Sequence, residues 1–267
     1  MGKYVYGPIL SRRYGWSLGI DVMPKLKTCT FNCVYCELGK TSTKGYASLN
    51  FRVEMPPKFK EEFTEELQAK LVEHASYIRA ITFGYNGEPT LNKNLDIILD
   101  ITRKLRYEAG IEKVPITILT NSSTLGDPSV RKVLLNFDIV IAKLDGGTQE
   151  ILQYVNRPHY SIPPFDGIVN NLCLLKKEMK TDTKLYIQTL LYKVNPPTSI
   201  KSNARGDNVV AIASAINKIQ PDQVHVYSVA REPAEPSVIK VSKLELIELS
   251  DLMANNVDRS IDIYYFP

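Results

Sequence analysis

The chain has 267 residues, 44% of them hydrophobic and 23% charged, the balance of an ordinary globular protein long enough to bury a full core without staples. Its formal net charge is +4 and its pI near 8.7; the cations are dispersed, which permits a polyanionic partner without demanding one. The opening MGKYVYGPILSRRYGW has no apolar core of signal-peptide length, and no run of about 18 apolar residues follows, so a cytoplasmic protein with no membrane partner is expected.

Residues 17–22 (SLGIDV) read as a first strand. Residues 59–74 carry Phe63, Leu67 and Leu71 at helical spacing. Strand 79–85, helix 94–110 ending at Gly110, strand 115–120 and a short helix 127–136 come next. Strand 138–145 precedes helices 147–155 and 165–179. Strand 184–192 leads through a polar, Pro-containing segment, 194–208, to helix 207–219, capped by Asp207. That segment suits a mobile lid or a surface insertion. Strand 223–229, helix 242–256 with Ser242 at its start, and strand 261–265 complete the chain. Six strand–helix units predict an α/β fold, a partial (β/α)6 barrel of parallel strands with outer helices. The chemistry of such a barrel belongs at the carboxyl ends of its strands.

Three of the four cysteines fall in CTFNCVYC, residues 29–36, after the first strand. A disulfide remnant, half a zinc site and an iron–sulfur cradle all fit a thiol cluster. In a reducing compartment, clustered cysteines bind metal or do catalysis. Structural zinc wants four ligands, commonly as paired C-x2-C knuckles. The fourth cysteine, Cys173, sits among leucines on a helix and reads as a small core residue, and His74, His159 and His225 show no knuckle spacing. A [4Fe–4S] cluster normally takes four thiolates. Three would leave one iron open to a small chelator carrying an amine and a carboxylate.

C-x3-C-x2-C with Tyr35 before the last cysteine resembles the motif of the radical S-adenosylmethionine (SAM) superfamily. The resemblance implies a [4Fe–4S] cluster on Cys29, Cys33 and Cys36, with the Tyr35 ring against the adenine of SAM. Asn86-Gly87-Glu88-Pro89 resembles the family's Gly-Gly-Glu-Pro segment, with Asn86 in place of the first glycine, and implies contacts to the methionine amine. Thr120-Asn121-Ser122-Ser123 resembles its Thr-Asn-Gly segment; Asn121 and Ser122 can hydrogen-bond carboxylate or ribose oxygens. Lys143 and Asp145, alternating at the end of the fourth strand, can balance the cofactor carboxylate and accept from ribose hydroxyls. Gln188 on the fifth strand is a weaker cofactor candidate, as are His225 and Tyr227 on the sixth.

Ser11-Arg12-Arg13-Tyr14-Gly15-Trp16 and Asn156-Arg157-Pro158-His159 resemble segments of a subgroup of small iron–sulfur oxidoreductases, filed near the archaeal tRNA wyosine-base synthases. Paired arginines suit phosphate or carboxylate, so Arg12, Arg13, Arg157 and His159 are expected at the substrate. The resemblance runs from about Tyr6 to Pro236, and one core domain is expected over residues 1–267, with a short N-terminal extension and a C-terminal strand. A flavodoxin- or ferredoxin-type reductant is expected to feed the cluster. The chain would cleave SAM reductively to a 5′-deoxyadenosyl radical that acts on a substrate, with tRNA or a protein as candidate classes. The wyosine enzymes hold a second cluster on further N-terminal cysteines, and none precedes Cys29 here. A glycyl-radical-enzyme activase and a non-catalytic iron–sulfur or zinc module are the alternatives.

Overall fold

A computed structural model describes residues 2–23 and 26–267. Its sheet runs β1 (Val5–Ser11), β2 (Gly15–Ile20), β3 (Ala80–Phe83), β4 (Ile116–Thr120), β5 (Ile139–Lys143), β6 (Lys184–Val194), β7 (Gln223–Ser228) and β9 (Asp262–Phe266), with β8 (Val238–Lys240) on β6. Pairing from β2 through β7 to β9 is parallel; β1 and β8 pair antiparallel. The helices are α1 (Phe59–His74), α2 (Leu95–Glu108), α3 (Pro128–Leu134), α4 (Gln149–Val155), α5 (Phe165–Glu178), α6 (Gly206–Ile219) and α7 (Lys243–Ala254). The sheet curls into an open half-barrel with the helices outside, as the alternation of strands and helices predicts.

Two strands were not expected. β1 forms a hairpin with β2, and its Gly7-Pro8 disguises it as a turn. Proline is tolerated because β1 is an edge strand, and its register shifts between Tyr6 and Ile9. β8 has only three residues, too few for a periodic signal. Helix α6 starts one residue before the predicted cap: Arg205 is the N-cap, and Asp207 lies in the first turn, paired with Arg205 at 2.6 Å. Ser242 does cap α7, accepting from the Glu245 amide.

The two sheet faces differ. Leu18, Ile20, Ile81, Phe83, Val140, Leu185, Ile187, Val224 and Val226 pack with the buried stripes of α2 (Ile98, Leu99, Leu105) and α5 (Ile168, Leu172, Leu175). Alternate residues face the lumen, and many are polar: Ser17 Oγ lies 2.8 Å from Thr82 Oγ1, which accepts from Thr117 Oγ1 at 3.1 Å. Tyr6 reaches across Gly19, where a β-carbon would strike its ring, to donate to the Gly84 carbonyl.

Asp21 leaves β2 and opens the long cysteine loop. Its amide bonds the Tyr4 carbonyl at 2.8 Å, and its carboxylate accepts from the Met23 amide at 2.9 Å. Burial pushes its carboxyl up to about 6, partly offset by backbone donors from Met23 and Asn86. Such a group favours the folded state when protonated, so its contribution is lost as pH rises from about 4 to about 6. Asp21→Asn should therefore raise the melting temperature at pH 8 by about 2–4 °C, equivalent to about 1 kcal/mol. The gain should vanish below pH 4, which a pair of thermal melts would check.

Candidate functional site

The cysteine loop crosses the mouth of the barrel, where the parallel strands end. Main-chain bridges join Thr28 to Gly87, Cys29 to Tyr46 and Phe31 to Pro158. The Glu88 amide donates to the Thr28 carbonyl at 2.9 Å, and the Thr28 amide to the Asn86 carbonyl at 3.3 Å. The backbones approach so closely that a β-carbon on Gly87 would overlap the Thr28 carbonyl, and Gly87 has φ +134. Only glycine meets both conditions. The Asn86 side chain donates to the Met23 carbonyl at 3.0 Å, so it braces the loop entry.

Three N–H groups point at the sulfurs. Cys29 Sγ accepts from the Phe31 amide and Asn121 Nδ2, each at 3.4 Å; Cys33 Sγ accepts from Asn156 Nδ2 at 3.4 Å. Such donors tune iron–sulfur clusters. Burial pushes the Cys33 thiol up to about 11 and Cys29 higher, with neighbouring thiols adding to both. Among the described residues no three His, Cys, Asp or Glu side chains converge on one metal ion, as a mononuclear zinc centre needs. Thiols that accept N–H donors fit the donor set of an iron–sulfur cluster. Cys173 is elsewhere, half-buried on α5 against the Lys218 carbonyl.

Two buried carboxylates organise the loops around the cysteines. Glu88 is 1% exposed. Its Oε1 accepts from the Thr90 amide (3.2 Å), Thr90 Oγ1 (2.5 Å) and Thr120 Oγ1 (2.8 Å), and Oε2 from the Asn121 amide at 2.6 Å. Burial still raises its pKa, against those donors. Protein donors thus engage both oxygens, and Glu88 ties the ends of β3 and β4 together. Asn121 also donates to Thr30 Oγ1 at 2.8 Å. Ser122, at φ +70, donates to the Lys143 carbonyl at 3.0 Å.

Asp145 is the other buried acid. Its Oδ2 accepts from Tyr35 Oη and from Asn156 Nδ2 at 2.9 Å; Oδ1 accepts from the Leu190 amide at 2.8 Å, with Lys143 Nζ at 3.4 Å. Lys143 Nζ stands 4.7 Å above the Tyr35 ring. Burial opposes the lysine's charge, yet Asp145 and Tyr227 outweigh it and its pKa rises. Asn156 and the fully buried Asn203 escaped the sequence reading. Asn203 donates to the Asp145 carbonyl at 3.0 Å and the Leu190 carbonyl at 2.7 Å, which anchors the end of the 194–208 segment. Asn156 lay within a segment singled out for its arginine; no spacing signals Asn203.

Further into the lumen, Lys143 Nζ donates to Tyr227 Oη at 2.7 Å. The Gln188 amide, oriented by its partners, gives its nitrogen to Tyr227 Oη at 3.0 Å and accepts from Arg13 Nη1 and Nη2 at 2.7 and 3.1 Å. Arg13 and Arg12 lie 5.2 and 5.7 Å from the Tyr227 ring centre. Arg12 also donates to the Phe266 and Pro267 carbonyls, bridging the hairpin tip to β9. Burial and the Arg13 charge lower its pKa. The other expected substrate residues stand apart from this group. Arg157, at φ +45, is paired with Glu235 at 2.6 Å, and His159 bonds Ser161 Oγ at 2.8 Å and meets the Tyr46 ring edge-on.

The family model for the radical SAM superfamily matches residues 23–194, more than half of the chain. UPF0026 proteins of Methanocaldococcus jannaschii and Helicobacter pylori (strain J99) are each 31% identical, over 242 and 248 residues, covering 91% and 92% of this chain and 68% and 72% of theirs. A Brachyspira hyodysenteriae protein named GTPase Obg is 33% identical over 267 residues; the chain spans 98% of itself but 35% of that relative. Streptococcus suis SuiB bound to S-adenosylmethionine superposes with a TM-score of 0.60 at 13% identity, covering 90% of this chain and 48% of that one. TYW1 with a lysine–pyruvate adduct gives 0.59 at 13%, covering 90% and 74%. The chain belongs to the radical SAM superfamily, with the UPF0026 proteins among its relatives, and is an enzyme of that superfamily. No helix among the described residues is long and apolar enough to cross a membrane.

Gly87→Ala should cost about 3 kcal/mol, from φ strain and backbone overlap, and should lower iron loading with it; a denaturant melt and an iron assay would check both. Thr120→Val, which removes one donor from buried Glu88, should cost about 1–3 kcal/mol by urea unfolding.

Proposed function

We propose that Cys29, Cys33 and Cys36 hold a single [4Fe–4S] cluster and that SAM binds at the barrel mouth beside it. The observation that carries this reading is the convergence of Asn121 and Asn156 N–H groups on Cys29 and Cys33, at the carboxyl ends of parallel strands. When bound, the cluster and SAM supply a 5′-deoxyadenosyl radical, on an electron from a flavodoxin- or ferredoxin-type reductant, to remove a hydrogen atom from a substrate.

The chain's own residues shape the space for that chemistry. Asn121 and Asn156 hold the sulfurs from two sides. Glu88 and its threonines fix the Asn86–Glu88 turn, whose main chain lies against Thr28, next to the first cysteine. Tyr35 and Lys143, locked on Asp145, present a ring and an ammonium towards the lumen. The buried wall of β4 to β7 excludes water from it. Grouping with the wyosine-base synthases supports tRNA as a substrate class.

Anaerobic reconstitution should load about four irons and four sulfides per chain, and dithionite with SAM should release 5′-deoxyadenosine. Cys33→Ala should lose the cluster and the release together. A full cubane retained in Cys33→Ala, or one tightly bound zinc per chain with no iron uptake, would overturn the assignment.

A further inference from the structure

The lumen beyond the cysteine loop is rich in hydrogen-bond donors and poor in acceptors. Lys143 spends one proton on Tyr227 and points another at Asp145. The Tyr227 oxygen accepts from both Lys143 and Gln188. With the amide turned the other way Tyr227 would donate to Gln188 Oε1 at 3.0 Å, but the Gln188 nitrogen would then face the Arg13 guanidinium; with the oxygen on Arg13, the phenol accepts twice and its own proton is left for a ligand. Arg13 offers a guanidinium fork, and its side-chain partner there is the neutral Gln188 oxygen. No carboxylate pairs with it among the described residues. Asp145 is the one acid of this group, and its oxygens are engaged by Tyr35, Asn156 and the Leu190 amide.

A second open atom faces the same space. His225 stands opposite Gln188 in the β6–β7 register, is 3% exposed, and has Nδ1 buried with no partner. Its Nε2 lies 3.2 Å from Gln223 Oε1, so the ring proton belongs there and Nδ1 is left as an acceptor. Buried polar atoms without partners are rare and call for a ligand or water. Cationic donors and one neutral acceptor specify a molecule with an oxyanion flanked by an O–H or N–H.

We propose that Arg13, Lys143 and Tyr227 bind an oxyanion, a carboxylate or phosphate, carried by the substrate and held inside the barrel below the SAM position. Planar bidentate recognition of either group is the particular strength of arginine. The idea rests on the radical SAM reading only in calling this anion the substrate's; the binding itself is independent of radical chemistry.

The test is calorimetric titration of the anaerobically reconstituted protein with acetate and, separately, with inorganic phosphate, each with and without saturating SAM. Saturable one-to-one binding of one anion that persists with SAM bound is expected, and the preferred anion identifies the substrate as a carboxylic acid or a phosphate ester. Arg13→Gln should weaken that anion at least about tenfold, the loss of one charge-assisted bond. Tyr227→Phe, which keeps the ring, should weaken it severalfold and guards against misfolding of the arginine variant. Displacement of the anion by SAM would overturn the proposal, because the donors would then belong to the cofactor carboxylate. So would saturable binding of neither anion, or binding indifferent to both substitutions. Arg13-dependent binding in a protein that takes up iron but releases no 5′-deoxyadenosine would sink the proposed reaction and leave the anion site standing.

Discussion

The site depends on one buried carboxylate. Asp145 has a fully covered side chain, and an ionised acid in that position is tolerated only when its lone pairs are met. Each donor that meets them comes from a different piece of the chain: Tyr35 from the cysteine loop, Asn156 from the end of α4, the Leu190 amide from β6, and Lys143 from β5. Asn203 and Asn208 hold the carbonyl of the same residue. Satisfying one charge therefore fixes these four segments against each other, and Cys33 is carried along through Asn156.

Glu88 does the same on the other side of the barrel mouth. It joins the turn after β3 to the end of β4, and Asn121 then reaches Cys29 and Thr30. The cysteine loop is thus gripped at its first cysteine by one buried-acid network and at its second by the other. Because both acids are used within the protein, the side chains left to meet small molecules are mostly donors. That imbalance gives the lumen its cationic character, although the net charge of the whole chain is only +4.

The fold was legible because alternating β-branched runs and amphipathic helices carry strong periodic signals. Helix 59–74 and the seven parallel strands fall where the pattern puts them, within one or two residues for most. β1 was invisible because a Gly-Pro pair interrupts it, and β8 because three residues hold no period. In the site, the cysteines and the Asn-Gly-Glu-Pro turn were legible as motifs, but motif order does not say which atoms are free. Glu88 and Asp145 read as cofactor ligands; in the folded chain protein donors reach both oxygens of each. Arg12, Arg13, Arg157 and His159 read alike as substrate residues. Only Arg13 and Arg12 reach the lumen group, and Arg157 is held by Glu235.

Residue order alone settles the local terms: three thiols within eight residues, a glycine where the turn needs positive φ, and helical and strand periods that name the class of fold. These rest on neighbours in the chain, so they can be read without coordinates. Which donors meet which acceptors is a matter of long-range packing. Asn156 finds Cys33 across 123 positions and Asp145 across 11; Lys143 finds Tyr227 across 84. Burial turns those meetings into obligations, because an unmet polar atom away from water costs more than most single contacts return. The phenol proton of Tyr227 and the fork of Arg13, met there by a neutral amide oxygen and not by a carboxylate, emerge only when that accounting is done in three dimensions.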